Sequence, residues 1–246
     1  MPARETEAII LRSFPLGEAD RVVSFFSRSA GRMRGVAAGA RRLKSRFGST
    51  LETLSYVKMW YIERESRELV RIQQCEILES FLAAQREYAL SLGLALVSEV
   101  TEAVLPDREP ADAVFRLVLA TARAIASEKK TELPIAYFAF WMVRLGGWLP
   151  PLDRCARCGR QFENETAYHA TFYPGMFCEQ CRQPGMQPIG VEARALAGRF
   201  ASEKLERLGA HNISRETIFQ LRETMLDLTE HHIERVLKTR SMLESA

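Results

Sequence analysis

Four of the five cysteines stand in two C-x-x-C pairs, Cys155/Cys158 and Cys178/Cys181, with nineteen residues between the pairs. Two residues between cysteines let both sulfurs, and the amides of the intervening turn, wrap one metal ion. Two such knuckles supply a closed tetrahedral thiolate set, which suits Zn²⁺. Residues 154–181 are too few to bury much core, so metal binding is expected to do the folding there. Four thiolates leave no position for water, which points to a structural rather than a catalytic ion. Rubredoxin-type iron uses similar spacing, and spacing alone leaves it open. A redox pair wants one such motif beside a βαβ unit. Two disulfides suit a secreted chain, and the start, MPARETEAII, lacks a secretory signal. His169 lies between the knuckles but stays outside the ligand set, because four cysteines already fill it. The stretch AYHATFY reads as strand, with a turn at Pro174-Gly175 into the second knuckle. Cys75, in a predicted strand, reads as a buried apolar residue.

The knuckles interrupt a chain whose periodicity changes once. Up to about residue 80 the pattern is that of strands: AIILRSF, RVVSFFSR, SAGRMRGVAAG, SYVKMWYIER and LVRIQQCEIL. The second and third form a hairpin with Ala30-Gly31 at or near its turn. In the fourth, Val57, Met59 and Tyr61 face one side and Tyr56, Lys58 and Trp60 the other. Five short strands with a Gly-rich stretch after the third fit a small OB-type barrel, with another small antiparallel sheet as the alternative. From about residue 84 the period is helical. Helices are expected over 84–105, over 111–128 with Pro110 near the first turn, up to Gly146-Gly147, over 190–208 and over 214–240. In the last, Ile218, Leu221, Met225 and Leu228 make an inward stripe that His232 continues. The fold class is thus α+β: an N-terminal OB-type β-barrel (1–80), then a C-terminal α-helical domain (81–246) with an inserted four-cysteine zinc module at about 151–185.

Charge is uneven along this layout. Residues 1–50 hold ten Arg or Lys against four acids, whereas the whole chain has a net charge of only +3. Between Arg28 and Arg46 there are seven cations (Arg28, Arg32, Arg34, Arg41, Arg42, Lys44, Arg46) and no acid. A basic first domain on a mildly acidic body points to a polyanion partner. Single-stranded nucleic acid is bound through cations that track phosphates and aromatic faces that stack on bases. The seven cations are candidates for the first role, and Phe47 in GARRLKSRFG (39–48) for the second. Tyr56 and Trp60 either stack or belong to the core. Gly39 and Gly48 let the loop backbone approach a sugar-phosphate chain closely.

No catalytic motif stands beside this. The glycines at 31, 35 and 39 match no phosphate-binding loop, and there is no G-x-S-x-G or H-E-x-x-H. Adjacent residues such as His231 and His232 point in different directions on a helix. The acids Glu63 and Glu65 are expected in a solvated hairpin turn. The most apolar window, PIAYFAFWMV, stops at Arg144, half the length of a membrane span. A cytosolic, non-enzymatic protein is expected.

The order of these parts, EAIILRSFPLGEADRVVSFFSRSAGRM, then GARRLKSRFGSTLE, then helices interrupted by CARCG…FYPGMFCEQC, resembles the bacterial RecO family of recombination mediators. The resemblance spans nearly the whole chain. It implies an N-terminal OB fold and a helical C-terminal domain with a four-cysteine zinc module. It also implies binding to single- and double-stranded DNA, annealing of complementary strands, and work with the ring-forming RecR protein. Together these help to load the RecA recombinase onto DNA coated with single-strand-binding protein, in the cytoplasm at the nucleoid. An apolar, cation-rimmed groove for that protein's acidic C-terminal tail is implied as well. The motif carries over at Arg41, Arg42, Lys44 and Arg46 and at Cys155, Cys158, Cys178 and Cys181. Where many relatives have two glycines before the third cysteine, this chain has Pro174-Gly175-Met176-Phe177. The alternative function is a zinc-ribbon interaction adaptor with a basic RNA- or protein-binding barrel.

Overall fold

Alternating apolar residues lay five strands into one closed barrel: β1 (Arg4–Leu16), β2 (Asp20–Ser27), β3 (Gly31–Ala37), β4 (Tyr56–Ile62) and β5 (Val70–Glu79). This computed structural model describes residues 3–64, 68–170, 173–209 and 211–244. Strand β1 pairs antiparallel with both β2 and β4, β4 pairs antiparallel with β5, and a short parallel pairing of β3 with β5 closes the cylinder. This is the OB-type barrel expected. Val23, Phe25, Met33, Val57, Met59, Tyr61 and Ile72 point inward with almost no exposure. The β2–β3 hairpin turns through Arg28–Ala30, and Gly31 opens β3 with φ +73°. A Cβ at Gly31 would lie 2.3 Å from the Glu109 amide nitrogen, so no other residue fits.

The long β3–β4 connection folds as consecutive turns and sends Phe47 and Leu51 into the barrel core. After β5 comes a 3-10 turn, Ala84–Arg86, then α1 (Tyr88–Val104) and α2 (Asp112–Glu128). The expected helix over 84–105 is therefore interrupted at Glu87, whose backbone is extended (φ −91°, ψ 121°). Helix α1 docks on the barrel through Ser98 Oγ, which donates to the Leu11 carbonyl at 2.7 Å. Helix α2 does so through Phe115, whose ring centroid lies 5.4 Å from that of Phe26.

The contacts divide the chain into Met1–Lys129 with Thr239–Ala246, and Lys130–Lys238. The change of period at residue 80 thus marks the end of the barrel strands, while α1 and α2 pack with the barrel. The second unit contains α3 (Glu132–Leu145), a three-stranded sheet of β6 (Ala167–Ala170), β7 (Tyr173–Phe177) and β8 (Gln187–Ile189), then α4 (Val191–Ser202), α5 (Leu205–Leu208) and α6 (Arg215–Ile233). Helix α7 (Lys238–Glu244) falls largely with the first unit. Two expected helices are each broken. The run over 190–208 parts at Glu203 and Lys204, both extended. The run over 214–240 stops at Glu234, which takes a left-handed conformation (φ 53°) and donates its amide back to the last turn. Ser214 caps α6, accepting from the Thr217 amide at 3.1 Å. Ile218, Leu221, Met225 and Leu228 are buried as expected. His232 does not continue their stripe: it is exposed and stacks on Trp148, with centroids 3.9 Å apart and planes 8° from parallel.

Candidate metal centre and nucleic-acid surface

The four sulfurs of Cys155, Cys158, Cys178 and Cys181 all lie within 4.8 Å of one another. A tetrahedral ion with bonds of about 2.3 Å requires sulfurs roughly 3.8 Å apart, and Cys158 Sγ stands 3.9 Å from Cys178 Sγ. The donor set fits one tetrahedral thiophilic ion. The first knuckle is shaped by the Cys155 amide donating to the Arg160 carbonyl (2.8 Å) and by Gly159 donating to Cys155 (2.9 Å) with φ +74°. The second is shaped by the Cys181 and Arg182 amides, both donating to the Cys178 carbonyl at 2.9 Å. The two are tied together where the Ala156 amide donates to the Met176 carbonyl at 2.7 Å. Gly175 makes that approach possible: its φ is +128°, and a Cβ there would meet the Ala156 methyl at 2.6 Å. The Pro174-Gly175 turn expected before the second knuckle is instead part of strand β7, because Tyr173 and Phe177 pair with β6 on either side.

Protonation tells the same story. Burial raises the Cys155 thiol, but the amides of Cys158, Cys178 and Arg157 together outweigh it and bring the group down to about 6. The Cys181 thiol is pushed up to about 12, first by its bond with Cys178, then by burial and the other sulfurs. Four sulfurs at this spacing cannot all be anionic without a cation among them. His169 takes no part. It is buried, with Nε2 3.0 Å from Thr224 Oγ1 and Nδ1 3.4 Å from Asp227. Cys75 is buried in β5, and burial pushes its thiol up to about 12, as suits an inert apolar residue.

The structure sorts the seven clustered cations into two groups. Arg28 binds Glu7 and Asp112, each at 2.8 Å. These pairings hold the Glu7 and Asp112 carboxyls below their ordinary range. Arg32 binds Asp107 at 2.9 Å and donates to the Glu102 carbonyl at 2.8 Å. Arg12, outside the cluster, is bound likewise, 2.8 Å from Glu102. Helices α1 and α2 and the turn between them thus neutralise one flank of the barrel. Arg34, Arg41, Arg42, Lys44 and Arg46 are exposed, and none makes an ion pair among the described residues. They lie on β3 and on the loop after it. Arg41 fastens that loop to the β1–β2 turn: its amide donates to Ala19 (2.9 Å) and its guanidinium to Gly17 (2.6 Å). The Gly39 amide donates to Asp20 Oδ1 at 2.8 Å, with φ +75° at Gly39.

Phe47 is not on this surface. Expected as a stacking face, it is 1% exposed in the barrel core. A tight turn, with the Thr50 amide and hydroxyl both donating to the Phe47 carbonyl (2.9 and 2.6 Å), carries the ring inward. Arg46 lies over the ring, with its Cζ 4.9 Å from the centroid. Tyr56 is half-buried against Phe115, and Trp60 donates to Glu5 at 3.0 Å. Glu63, expected in a solvated turn, pairs with Arg4 (3.0 Å) and Arg108. Glu65 lies outside the described residues. Sequence reasoning overlooked Phe14 and Leu16, which stand exposed beside the β1–β2 turn (49% and 42%). Their apolar character inside a strand reads as core, and only the register reveals the outward face.

A closed five-stranded barrel with exposed cations on β3 and the loop after it, in a chain that also carries helices and four clustered cysteines, defines an OB-barrel protein with a candidate metal centre. Comparison narrows this to a family. The family model described as Recombination protein O N terminal matches residues 1–81, and that described as Recombination protein O C terminal matches residues 85–241. Two curated proteins called DNA repair protein RecO align along nearly their whole lengths. That of Koribacter versatilis is 37% identical, covering 98% of each chain, and that of Syntrophobacter fumaroxidans is 31% identical, covering 100% of this chain and 99% of its own. The chain belongs to the RecO family of DNA repair proteins. Among the described residues, no helix is long and apolar enough to cross a membrane.

Proposed function

We propose that this chain is a non-enzymatic recombination mediator. It binds single- and double-stranded DNA, anneals complementary strands, and acts with RecR to help load RecA onto strands coated with single-strand-binding protein, in the cytoplasm at the nucleoid. The observation that carries this reading is the set of exposed cations on β3 and the loop after it, Arg34, Arg41, Arg42, Lys44 and Arg46, which have no acid partners among the described residues. Cations there neutralise phosphates on two strands and release counterions, which removes the repulsion that slows pairing. No nucleotide hydrolysis is needed for that step. Zn²⁺ at Cys155, Cys158, Cys178 and Cys181 serves as a structural clamp in the second unit, since a saturated thiolate set offers no open coordination position.

For the acidic tail of the single-strand-binding protein, the second unit offers a groove of about 490 Å³ lined by Phe140, Leu149, Pro150, Phe162 and Val191. Arg144 supplies the cation on its rim. Arg194, also on the lining, is occupied by the Leu152 and Glu165 carbonyls at 3.3 and 2.5 Å. Calorimetry with a tail peptide at low salt should give binding that Arg144→Glu weakens; no binding to the unaltered chain would remove this partner. The main test is annealing of complementary oligonucleotides with and without coating by single-strand-binding protein. Acceleration without any nucleotide cofactor is expected in both arms. Failure of both would restore the interaction-adaptor reading.

A further inference from the structure

We infer that the outer face of the barrel near the basic loop holds a pocket for one unpaired nucleobase, an inference that rests on the DNA-binding reading above. The pocket has a volume of about 460 Å³, within the range of small-molecule sites. It lies along the short seam between β3 and β5. Those strands pair over Gly35–Ala37 and Val70–Ile72, and the lining includes Val36 and Arg71, which are partners there. Gly35 lets them come together at all, since a Cβ there would crowd the side chains of Val70 and Ile72 at 2.9 Å. Val36, Ala38, Ile62 and Leu69 give the pocket apolar walls. Arg64 and Arg71 also line it, and neither has an ion pair among the described residues.

Register extends this pocket into a track. Across the barrel, Ile62 is the partner of Arg71, Arg71 of Val36, Val36 of Val22 and Val22 of Phe14. Their neighbours Val23, Gly35, Ala37, Tyr61 and Ile72 turn inward or sit at the seam, so this row faces out. It runs from the pocket to the exposed ring of Phe14. Two strand spacings, roughly 10 Å, separate Val36 from Phe14, about three nucleotides of a stacked strand at roughly 3.4 Å each. Arg34, two residues before Val36 on β3, and the basic loop after the strand flank the row.

The chemistry selects the occupant. An apolar slot beside cations fits a flat aromatic group attached to an anion. Glu68, the acid on the lining, offers an acceptor to a base amino group and disfavours a phosphate inside. The base therefore enters, its phosphates stay outside with Arg34 and Arg64, and Phe14 stacks on a second base. Double-stranded DNA offers no free base, so the pocket distinguishes single strands.

The test compares a deoxycytidine 12-mer, whose bases carry an amino group, with an abasic strand of the same length, titrated against the full chain at several salt concentrations. The base-bearing strand should bind about tenfold or more tightly. Ala38→Phe, which fills the pocket, should erase most of that preference while leaving the salt slope unchanged. Phe14→Ala, on an exposed ring, should erase a smaller part without disturbing the fold, and thermal melting of both variants checks this. Equal binding of the two strands by the unaltered chain, with an ordinary salt slope, would overturn the pocket and leave the electrostatic reading intact. Failure to bind either strand would overturn both.

Discussion

The barrel encloses Phe25, Phe47, Met59, Tyr61 and Ile72 in a continuous apolar core, whereas the cysteine module draws its two knuckles together around four sulfurs within 4.8 Å. Both regions are small β structures, yet one is held by buried area and the other gathers a sulfur set that fits a metal ion. The difference shows in what each tolerates. A barrel core loses stability in proportion to the volume removed. A tetrathiolate centre fails as a unit, because removing one ligand opens the coordination shell and leaves the others as crowded thiols. The contrast also runs along the chain, since the exposed cations lie in the first unit and the clustered cysteines in the second.

The largest effect expected is from Cys155→Ser. Metal content should fall from one ion per chain to none, and the second unit should lose several kcal/mol, because ion binding is folding energy in such modules. Oligonucleotide affinity should change far less. Elemental analysis, melting and a DNA titration read the three quantities, and an equal loss of DNA affinity would break the separation drawn here. Phe47→Ala comes next. As a buried ring it should cost about 3–5 kcal/mol, seen as a lower urea midpoint, whereas a solvent-facing stacking residue would leave stability nearly unchanged. Gly175→Ala should be milder, since a left-handed backbone and a 2.6 Å approach to the Ala156 methyl oppose the new Cβ. About 1–3 kcal/mol is expected, together with faster loss of the ion to a chelator.

How far the sequence foretold all this depends on the range of the interactions. The cysteine knuckles, whose four sulfurs converge, were readable because two residues between cysteines is a local constraint, met within one turn. The alternation of Val57, Met59 and Tyr61 against Tyr56, Lys58 and Trp60 was readable for the same reason. The fate of Arg28 and Arg32 was not. Their acid partners include Asp112 and Asp107, far along the chain on elements that pack back against the barrel, so an acid-free run of sequence became in part a neutralised surface. Phe47 misled because glycines and cations flank it, the composition of a solvent-facing loop, while the turn closed by Thr50 aims its ring inward. Phe14 was hidden by the opposite error, an apolar residue in an apolar strand.

The smallest effect concerns that neutralised flank. Arg28 holds the Glu7 and Asp112 carboxyls below their ordinary values of 4.5 and 3.8. Their folded-state values being depressed, the stability they contribute is present above the ordinary values and is lost as pH falls through the folded ones. Arg28→Ala should therefore slightly lower stability at neutral pH and flatten its decline in acid, a difference visible in melting between pH 5 and about 3. The exposure of these groups keeps it small.

The central claim is that unpaired cations of the barrel, and not the paired ones, meet phosphate. The direct measurement is the salt dependence of single-strand binding for the unaltered chain, for Arg42→Glu with Lys44→Glu, and for Arg28→Ala. The account predicts a log–log slope shallower by about 0.7 for each phosphate that the double variant no longer neutralises. Its stability should stay within about 0.5 kcal/mol of the parent, and the slope of Arg28→Ala should be unchanged. Equal slopes for the parent and the double variant, or a shallower slope for Arg28→Ala alone, would contradict it.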